Sequence, residues 1–481
     1  MIPDTPRGSW VSSDVPGRLD ALEWSSWHRR MILALGITWI LDGLEASLIA
    51  NVAPTLTRSD ALGLSATEVG VANSVYLLGQ VAGALIFGHL ADRLGRKRLF
   101  LITLALYLAA TALSGLAPDY SVFLVFRLLA GSGIGGEYSA INSAIDEIVP
   151  ARVRGAVDLA VNGSYWVGVA LGAGATLIVL NERIFPAAIG WRIAFGLGAL
   201  LGLVILPVRR HVPESPRWLL THGYVEAAQK TVERIEIEVY GAGRAAVASV
   251  SAVVPVAVKV SGTVGFRRLA HTLLWRYPRR TVLGLSLMLA QAFLYNSIFF
   301  SYALILERFH GVPADHVGLY IVPFAIGNFL GPLLLGPLFD RLGRRVMIPL
   351  TYALSGVLLL ASGGLFAAGL LNAVTQTLAW MLVFFVASAA ASSAYLTVGE
   401  LFPIEIRAMS IAVFYAFGTL VGAGAPALFG AMVDTGDPRQ LLAGYALASV
   451  LMLAAAVVAR ALGVDAERRS LEAIAAMEVA P

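Results

Sequence analysis

The run Gly88-His89-Leu90-Ala91-Asp92-Arg93-Leu94-Gly95-Arg96-Lys97 returns in the second half of the chain as Gly336-Pro337-Leu338-Phe339-Asp340-Arg341-Leu342-Gly343-Arg344-Arg345. Each copy lies between two long apolar stretches. A turn carrying an Asp and several Arg or Lys cannot sit in hydrocarbon, because each buried charge would cost several kcal/mol. Each copy is therefore expected to be a tight basic loop at a membrane surface, and its repetition predicts two related halves.

The apolar stretches run to about 20 residues, the length a helix needs to cross ~30 Å of hydrocarbon. Twelve are read, beginning near Met31, Glu68, Arg98, Tyr120, Gly155, Gly190, Arg280, Val317, Val346, Thr377, Ala408 and Leu441. With 58% hydrophobic and 14% charged residues, the chain is too apolar for an ordinary soluble fold. The expected fold is an all-α integral membrane protein of twelve transmembrane helices, in two six-helix bundles related by a pseudo-two-fold axis. Its expected segments are an N-terminal tail (1–30), a first bundle (31–208), a linker with short helices (209–279), a second bundle (280–463) and a C-terminal tail (464–481).

The formal net charge of +4 follows topology. Most Lys and Arg fall in the tails and the even-numbered loops, with Arg58, Arg183, Arg308 and Arg439 the main exceptions. That asymmetry places both termini of a multi-pass protein in the cytoplasm and argues against nucleic acid as a partner. The high Arg-to-Lys ratio suggests a GC-rich bacterium, whose cytoplasmic membrane is the expected location. The polar first 30 residues lack the apolar core of a cleaved leader. With no Cys and seven scattered His, there is no thiolate chemistry, no metal-ligand cluster and no nucleophile–His pair, so an enzyme is not expected. No metal and no cofactor are expected beyond the proton as coupling ion; the expected partners are a small-molecule substrate and the lipid bilayer.

The repeated loop is similar to the loop that marks the major facilitator superfamily. Pro213-Glu214-Ser215-Pro216-Arg217-Trp218-Leu219 and Glu400-Leu401-Phe402-Pro403-Ile404-Glu405-Ile406-Arg407 resemble signatures of its sugar-porter branch, the second with a counterpart at Glu147 to Gly155. The resemblance spans nearly the whole chain and implies an alternating-access transporter, monomeric by family expectation. The sugar-binding pattern departs from it: the seventh span reads Ala290-Gln291-Ala292-Phe293-Leu294-Tyr295-Asn296, retaining only Gln291 and Asn296. Asn162 stands at the family's sugar-contacting Gln and Tyr395 at its Trp. Asp42-Gly43-Leu44-Glu45 instead resembles the acidic pair of aromatic-acid metabolite–proton symporters. Gly135-Gly136-Glu137-Tyr138 resembles a stretch of carboxylate and osmolyte symporters, and Tyr165-Trp166-Val167-Gly168 one of niacin-type carriers.

Asp42 and Glu45 lie three residues apart, on one helical face near the middle of the first span. Two carboxylates at low dielectric resist ionising together, so at least one is expected to hold a proton and exchange it near neutral pH. Arg127, inside the fourth span, needs a carboxylate partner. The resemblance puts Glu45 at the proton-coupling position and Arg127 at its basic partner. Protonation of Glu45 would free Arg127 to accept substrate; Asp42 is the alternative titrating group, and a permanent structural ion pair the alternative role. Glu137, Asn162, Tyr165, Trp166, Gln291, Tyr295, Asn296, Asn328 and Tyr395, with Tyr76 and Gln80, are candidates for the substrate cavity. Gly131, Gly133 and Gly135 read as a close-packing face.

The loop residues form a candidate cytoplasmic gate: Asp92, Arg93 and Arg96 with Glu147, and Asp340, Arg341 and Arg344 with Glu400. Arg154 and Arg407, at equivalent places in the halves, are the expected cross-partners. The functional expectation is proton-coupled uptake of a small organic acid or related metabolite. Sugar or polyol uptake, organic-cation or drug export, and a transport-inactive membrane sensor are the alternatives.

Overall fold

A computed structural model of the chain describes residues 4–6, 8–94, 96–203, 214–241, 255–260, 265–403, 406–469, 471 and 474. The first half comprises α1 (Val15–Ala21), α2 (Ser26–Leu56), α3 (Ala66–Leu94), α4 (Arg96–Ser114), α5 (Tyr120–Ile148), α6 (Arg154–Gly163), α7 (Tyr165–Val179) and α8 (Ala187–Leu203). The linker carries α9 (Pro216–Thr221), α10 (Val225–Tyr240) and α11 (Phe266–His271). The second half holds α12 (Pro278–Phe299), α13 (Tyr302–His310), α14 (Val317–Arg341), α15 (Arg344–Ala367), α16 (Ala373–Leu401), α17 (Arg407–Gly422), α18 (Gly424–Thr435) and α19 (Pro438–Leu462).

Among the described residues, eight helical segments are long and apolar enough to cross a membrane. The other four expected spans correspond to α4, α5, α6 with α7, and α8. Basic residues open α4. Helix α5 carries Arg127 and Glu137. At Ser164 the helix breaks between α6 and α7, where the Ser164 hydroxyl donates to the Val161 carbonyl (2.6 Å). Exposed Leu33, Ile86, Val125, Ile178, Leu334, Val357 and Val457 face outward, as lipid contact requires.

Local chemistry sets the helix ends. The Asp119 carboxylate caps α5 by accepting from the Val122 N–H, and Asn372 with Thr375 forms a reciprocal cap on α16. In the second copy of the repeated loop, Gly343 joins α14 to α15 at φ +91°, a conformation that strains any residue with a Cβ.

The halves repeat one packing scheme. Helix α3 packs on α5, α2 on α7 and α4 on α8; correspondingly α14 packs on α16, α12 on α17 and α15 on α19. The close-packing glycines divide their work. A Cβ at Gly131 or Gly135 would collide with the backbone of α3 at Tyr76 or Gln80, whereas Gly133 faces Tyr107 on α4. Between halves, α3 meets α17 and α18, and α6 and α7 meet α14.

The N-terminal segment departs from the expectation of a polar tail. Trp10–Ser13 (β1) pairs antiparallel with Val256–Lys259 (β2) of the linker. Arg18 on α1 makes a bidentate pair with Glu236 on α10 (2.8 and 2.5 Å), both side chains nearly buried. The hydrogen bond to Glu236 raises the Arg18 pKa above its ordinary value, against the opposing effect of burial. The linker's Glu236 thus helps to hold the N-terminal segment down.

Candidate functional site

The halves enclose a cavity of about 810 Å³, its open mouth included, lined from α2, α3, α5, α6, α7, α12, α16 and α17. Seven of the expected cavity residues line it: Asn162, Tyr165, Trp166, Gln291, Tyr295, Asn296 and Tyr395, together with Tyr76 and Gln80. Helix α2 reaches α7 because Gly43 meets the Tyr165 backbone and Gly168 meets the Ile40 backbone. That close approach brings the acidic pair and the Tyr165-Trp166 pair to neighbouring walls. Trp166 is held by rings of the other half, among them Tyr295, Phe299, Phe324 and Phe384 at centroid distances of 5.7, 5.6, 5.5 and 6.4 Å.

Two expected cavity residues lie off it. Asn328 is fully buried behind Tyr295, accepting from the Tyr295 hydroxyl (3.3 Å) and donating to the Phe324 carbonyl (2.9 Å). Glu137 lines a small side chamber with Asp42, Tyr107 and Tyr138, and accepts from the Thr103 hydroxyl (3.3 Å). Conversely Trp39, Tyr138, Tyr415, Ser388, Ser392 and Thr419 line the cavity and were not read from the sequence.

The acidic pair separates. Glu45 points away from the cavity and accepts from Arg127 Nη2 (3.1 Å) and the Thr111 hydroxyl (2.7 Å). Both members of that ion pair are fully buried, and Tyr76 and Phe195 sandwich the guanidinium at 4.5 and 5.4 Å. Neither Glu45 nor Arg127 lines the cavity. In this structure Arg127 is engaged by Glu45, the paired state from which protonation of Glu45 was expected to free it. Asp42 does line the cavity, accepting from the Tyr138 hydroxyl and from the Tyr76 hydroxyl (3.4 Å). It is the one ionic side chain among the described lining residues.

Cross-bundle hydrogen bonds flank the cavity at both ends. At the end bearing the termini, the Ala156 N–H donates to Asp340 (2.8 Å), while Arg344 joins Asp340 (3.1 Å) to Glu400 (2.7 and 2.9 Å). At the opposite end, Thr67 donates through its N–H (3.1 Å) and hydroxyl (2.5 Å) to Asp434.

The other gate candidates are differently engaged. Glu147 accepts from the Ser215 hydroxyl, and Arg217 donates to the Glu147 carbonyl (2.9 Å). Arg154 pairs with Asp20 (3.2 Å) and donates to the Arg469 carbonyl (3.4 Å), whereas Arg407 donates to the Phe402 carbonyl (3.2 Å). Arg341 is exposed, and the side chains of Asp92, Arg93 and Arg96 lie outside the described residues.

Comparison with known proteins agrees with this architecture. Residues 43–477 match the family model described as sugar (and other) transporter. The chain is 27% identical over 464 residues to the niacin transporter NiaP of Acinetobacter baylyi, covering 96% of this chain and 99% of the relative. It is 27% identical over 387 residues to a probable 4-methylmuconolactone transporter of Cupriavidus pinatubonensis, covering 80% and 79%. Myo-inositol transporter 2 of Schizosaccharomyces pombe is 27% identical over 463 residues, covering 92% and 81%. The fold matches the solved major facilitator superfamily proton:xylose symporter XylE, bound to 6-bromo-6-deoxy-D-glucose, with a TM-score of 0.76 at 19% identity, covering 93% of this chain and 99% of that one. Two six-helix bundles around one central cavity, and a family match along nearly the whole sequence, make the chain a member of the sugar (and other) transporter family: a multi-pass membrane transporter of small molecules and not an enzyme.

Proposed function

We propose that the chain is a proton-coupled symporter that takes up a small ring metabolite bearing a carboxyl group, with Asp42 as the proton carrier. The observation that carries this reading is the position of Asp42, which among the described lining residues is the one ionic side chain in a wall of aromatic rings, amides and hydroxyls. An anionic substrate beside an ionised Asp42 would meet strong repulsion at low dielectric. A proton on Asp42 removes it, so substrate and proton enter together. Gln80, Asn162, Gln291 and Asn296 supply amide donors for a carboxylate, and the surrounding rings suit a flat body.

The relatives named for niacin and 4-methylmuconolactone, both carboxylated rings, support this substrate class. The same amides favour sugar or polyol uptake as a second reading, in line with the relative named for myo-inositol. Transport proceeds by rocking of the bundles 31–208 and 280–463, with the Asp340–Arg344–Glu400 cluster holding the terminus-bearing end shut. Charge asymmetry makes that end cytoplasmic.

A thermal-shift screen of ring carboxylates, sugars and organic cations at acidic and alkaline pH tests the substrate class. A ligand that binds the folded state raises the melting temperature by mass action. A ring acid should stabilise more strongly at acidic pH, and Asp42→Asn should remove that pH difference. Stabilisation by sugars alone or by cations alone would replace the proposed class.

A further inference from the structure

Asp42 is linked to the opposite bundle through Tyr138. The Tyr138 hydroxyl on α5 donates to Asp42, and its ring stacks on Tyr415 of α17 with centroids 4.5 Å apart and planes at 19°. The Tyr415 hydroxyl returns across the boundary to Gln80 on α3 (3.0 Å). Trp39, one helical turn before Asp42, meets the Tyr138 ring edge-on at 4.5 Å and Tyr395 of α16 at 5.7 Å. A proton carrier in one half is thus joined through the Tyr138 phenol to an aromatic face of the other.

We propose that Tyr138 is the coupling residue of this transporter, converting the protonation of Asp42 into a change in the relative position of the two bundles. This rests on the reading of Asp42 as the proton carrier. An ionised carboxylate holds a phenol donor strongly; a protonated one accepts more weakly and brings a competing donor of its own. The hydroxyl of Tyr138 is therefore gripped in one state and loosened in the other.

Helix α5 itself cannot absorb the difference, because Gly131 and Gly135 seat its backbone directly against α3. The change passes instead to the Tyr138 ring and to the stacked Tyr415. An offset ring pair is attractive over a narrow range of geometry, and packed interfaces move between discrete arrangements.

Other ionisable groups near Asp42 occupy different roles. Glu45, one turn on, is paired with Arg127 of α5, and Glu137 lines the side chamber together with Asp42. Tyr76 of α3 also donates to Asp42, Tyr107 of α4 lines the side chamber, and Tyr165 of α7 and Tyr395 of α16 lie on the cavity wall. Among the tyrosines with a hydroxyl hydrogen-bonded to Asp42, Tyr138 is the one that also stacks on a ring of α17.

The test needs no substrate. The chain has no cysteine, so spin labels can be placed uniquely after Leu116→Cys and Leu370→Cys, exposed positions in loops of opposite halves at the end away from the termini. The inter-label distance distribution is measured in lipid nanodiscs from acidic to alkaline pH, with a melting curve to confirm folding. The wild type should redistribute with pH, and Asp42→Asn should not. Tyr138→Phe and Tyr415→Leu should cut the amplitude of the redistribution by about tenfold, whereas Tyr415→Phe, which keeps the stacked ring, should retain it.

A tyrosine that merely hydrogen-bonds Asp42 would shift the midpoint and leave the amplitude intact. If Tyr138→Phe does not fold, Tyr415→Leu carries the test alone. Full amplitude in either of these variants, with Asp42→Asn unresponsive, overturns the role of Tyr138 and leaves Asp42 as carrier. A wild type without a pH response, or an Asp42→Asn variant with one, overturns the Asp42 reading and the coupling role with it.

Discussion

Arg127 and Glu45 form a 3.1 Å ion pair in which both side chains are fully buried, one turn from Asp42 but outside the cavity. Removing one member of such a pair strands the other charge in a low-dielectric site, which costs about 3–5 kcal/mol. Arg127→Met should therefore lower the melting temperature sharply. The double variant Glu45→Gln with Arg127→Met should recover much of the loss. Melting curves of the single and double variants check this, and ligand binding in the double variant should persist because neither residue reaches the cavity.

The amides of α12 should govern affinity for the substrate. Gln291 lies on the cavity wall one turn before Tyr295, and Asn296 lines it beside Gly422 of α17. A hydrogen bond to a charged group is worth about 1.5–3 kcal/mol, so Gln291→Leu or Asn296→Leu should each weaken carboxylate binding by roughly tenfold or more. Isothermal titration with the best ligand of the screen measures the change, and the melting temperature of the empty protein should move little.

Asp340 should act on the conformational balance rather than on affinity. Its carboxylate accepts from Ala156 of the other bundle and from Arg344 of its own. Asp340→Ala removes the cross-bundle acceptor and leaves the Arg344–Glu400 pair in place. The end bearing the termini should then open more often. Alkylation of a cysteine introduced by Ala156→Cys should accelerate in that variant, with no matching acceleration at Thr67→Cys on the opposite end.

The N-terminal segment should contribute to stability. Asp20 bridges Arg154 (3.2 Å) and Arg217 (2.9 Å), both fully buried, and Arg18 pairs with the nearly buried Glu236. Arg18→Ala leaves Glu236 buried without its partner and should cost about 3–5 kcal/mol. Asp20→Asn should weaken the anchorage of α9 without touching the cavity. Limited proteolysis of the linker, followed by mass spectrometry, reports both effects.

The spans, the duplicated loop and most cavity residues were legible for a direct reason: charge and chain length are read linearly. A charge inside hydrocarbon is costly wherever it sits, so the repeated loop marks a surface and Gly343 its turn. The separate fates of Asp42 and Glu45 were less legible. Residues three apart on a helix are offset by about 60° around its axis, enough to aim one into a cavity and the other at a neighbouring helix.

Tyr138, Tyr415 and Trp39 were missed because aromatic residues serve equally as core, lipid anchor and cavity wall in such helices. Only packing against the other half distinguishes them. The β1–β2 ladder joins two four-residue strands across most of the first half of the chain, and no local pattern announces a pairing that distant. Asp340 was read as a gate residue, but its cross-bundle donor is a backbone N–H, which side-chain identities do not reveal.

The measurement that bears most directly on Asp42 as proton carrier is uptake into proteoliposomes of the ring acid selected by the screen, with and without an imposed pH gradient. Wild type should accumulate substrate when the gradient is present and equilibrate when it is absent. Asp42→Asn should still exchange substrate across the membrane but fail to accumulate it, whereas Glu45→Gln, if folded, should retain gradient-driven accumulation. Accumulation by Asp42→Asn equal to that of the wild type would contradict the account.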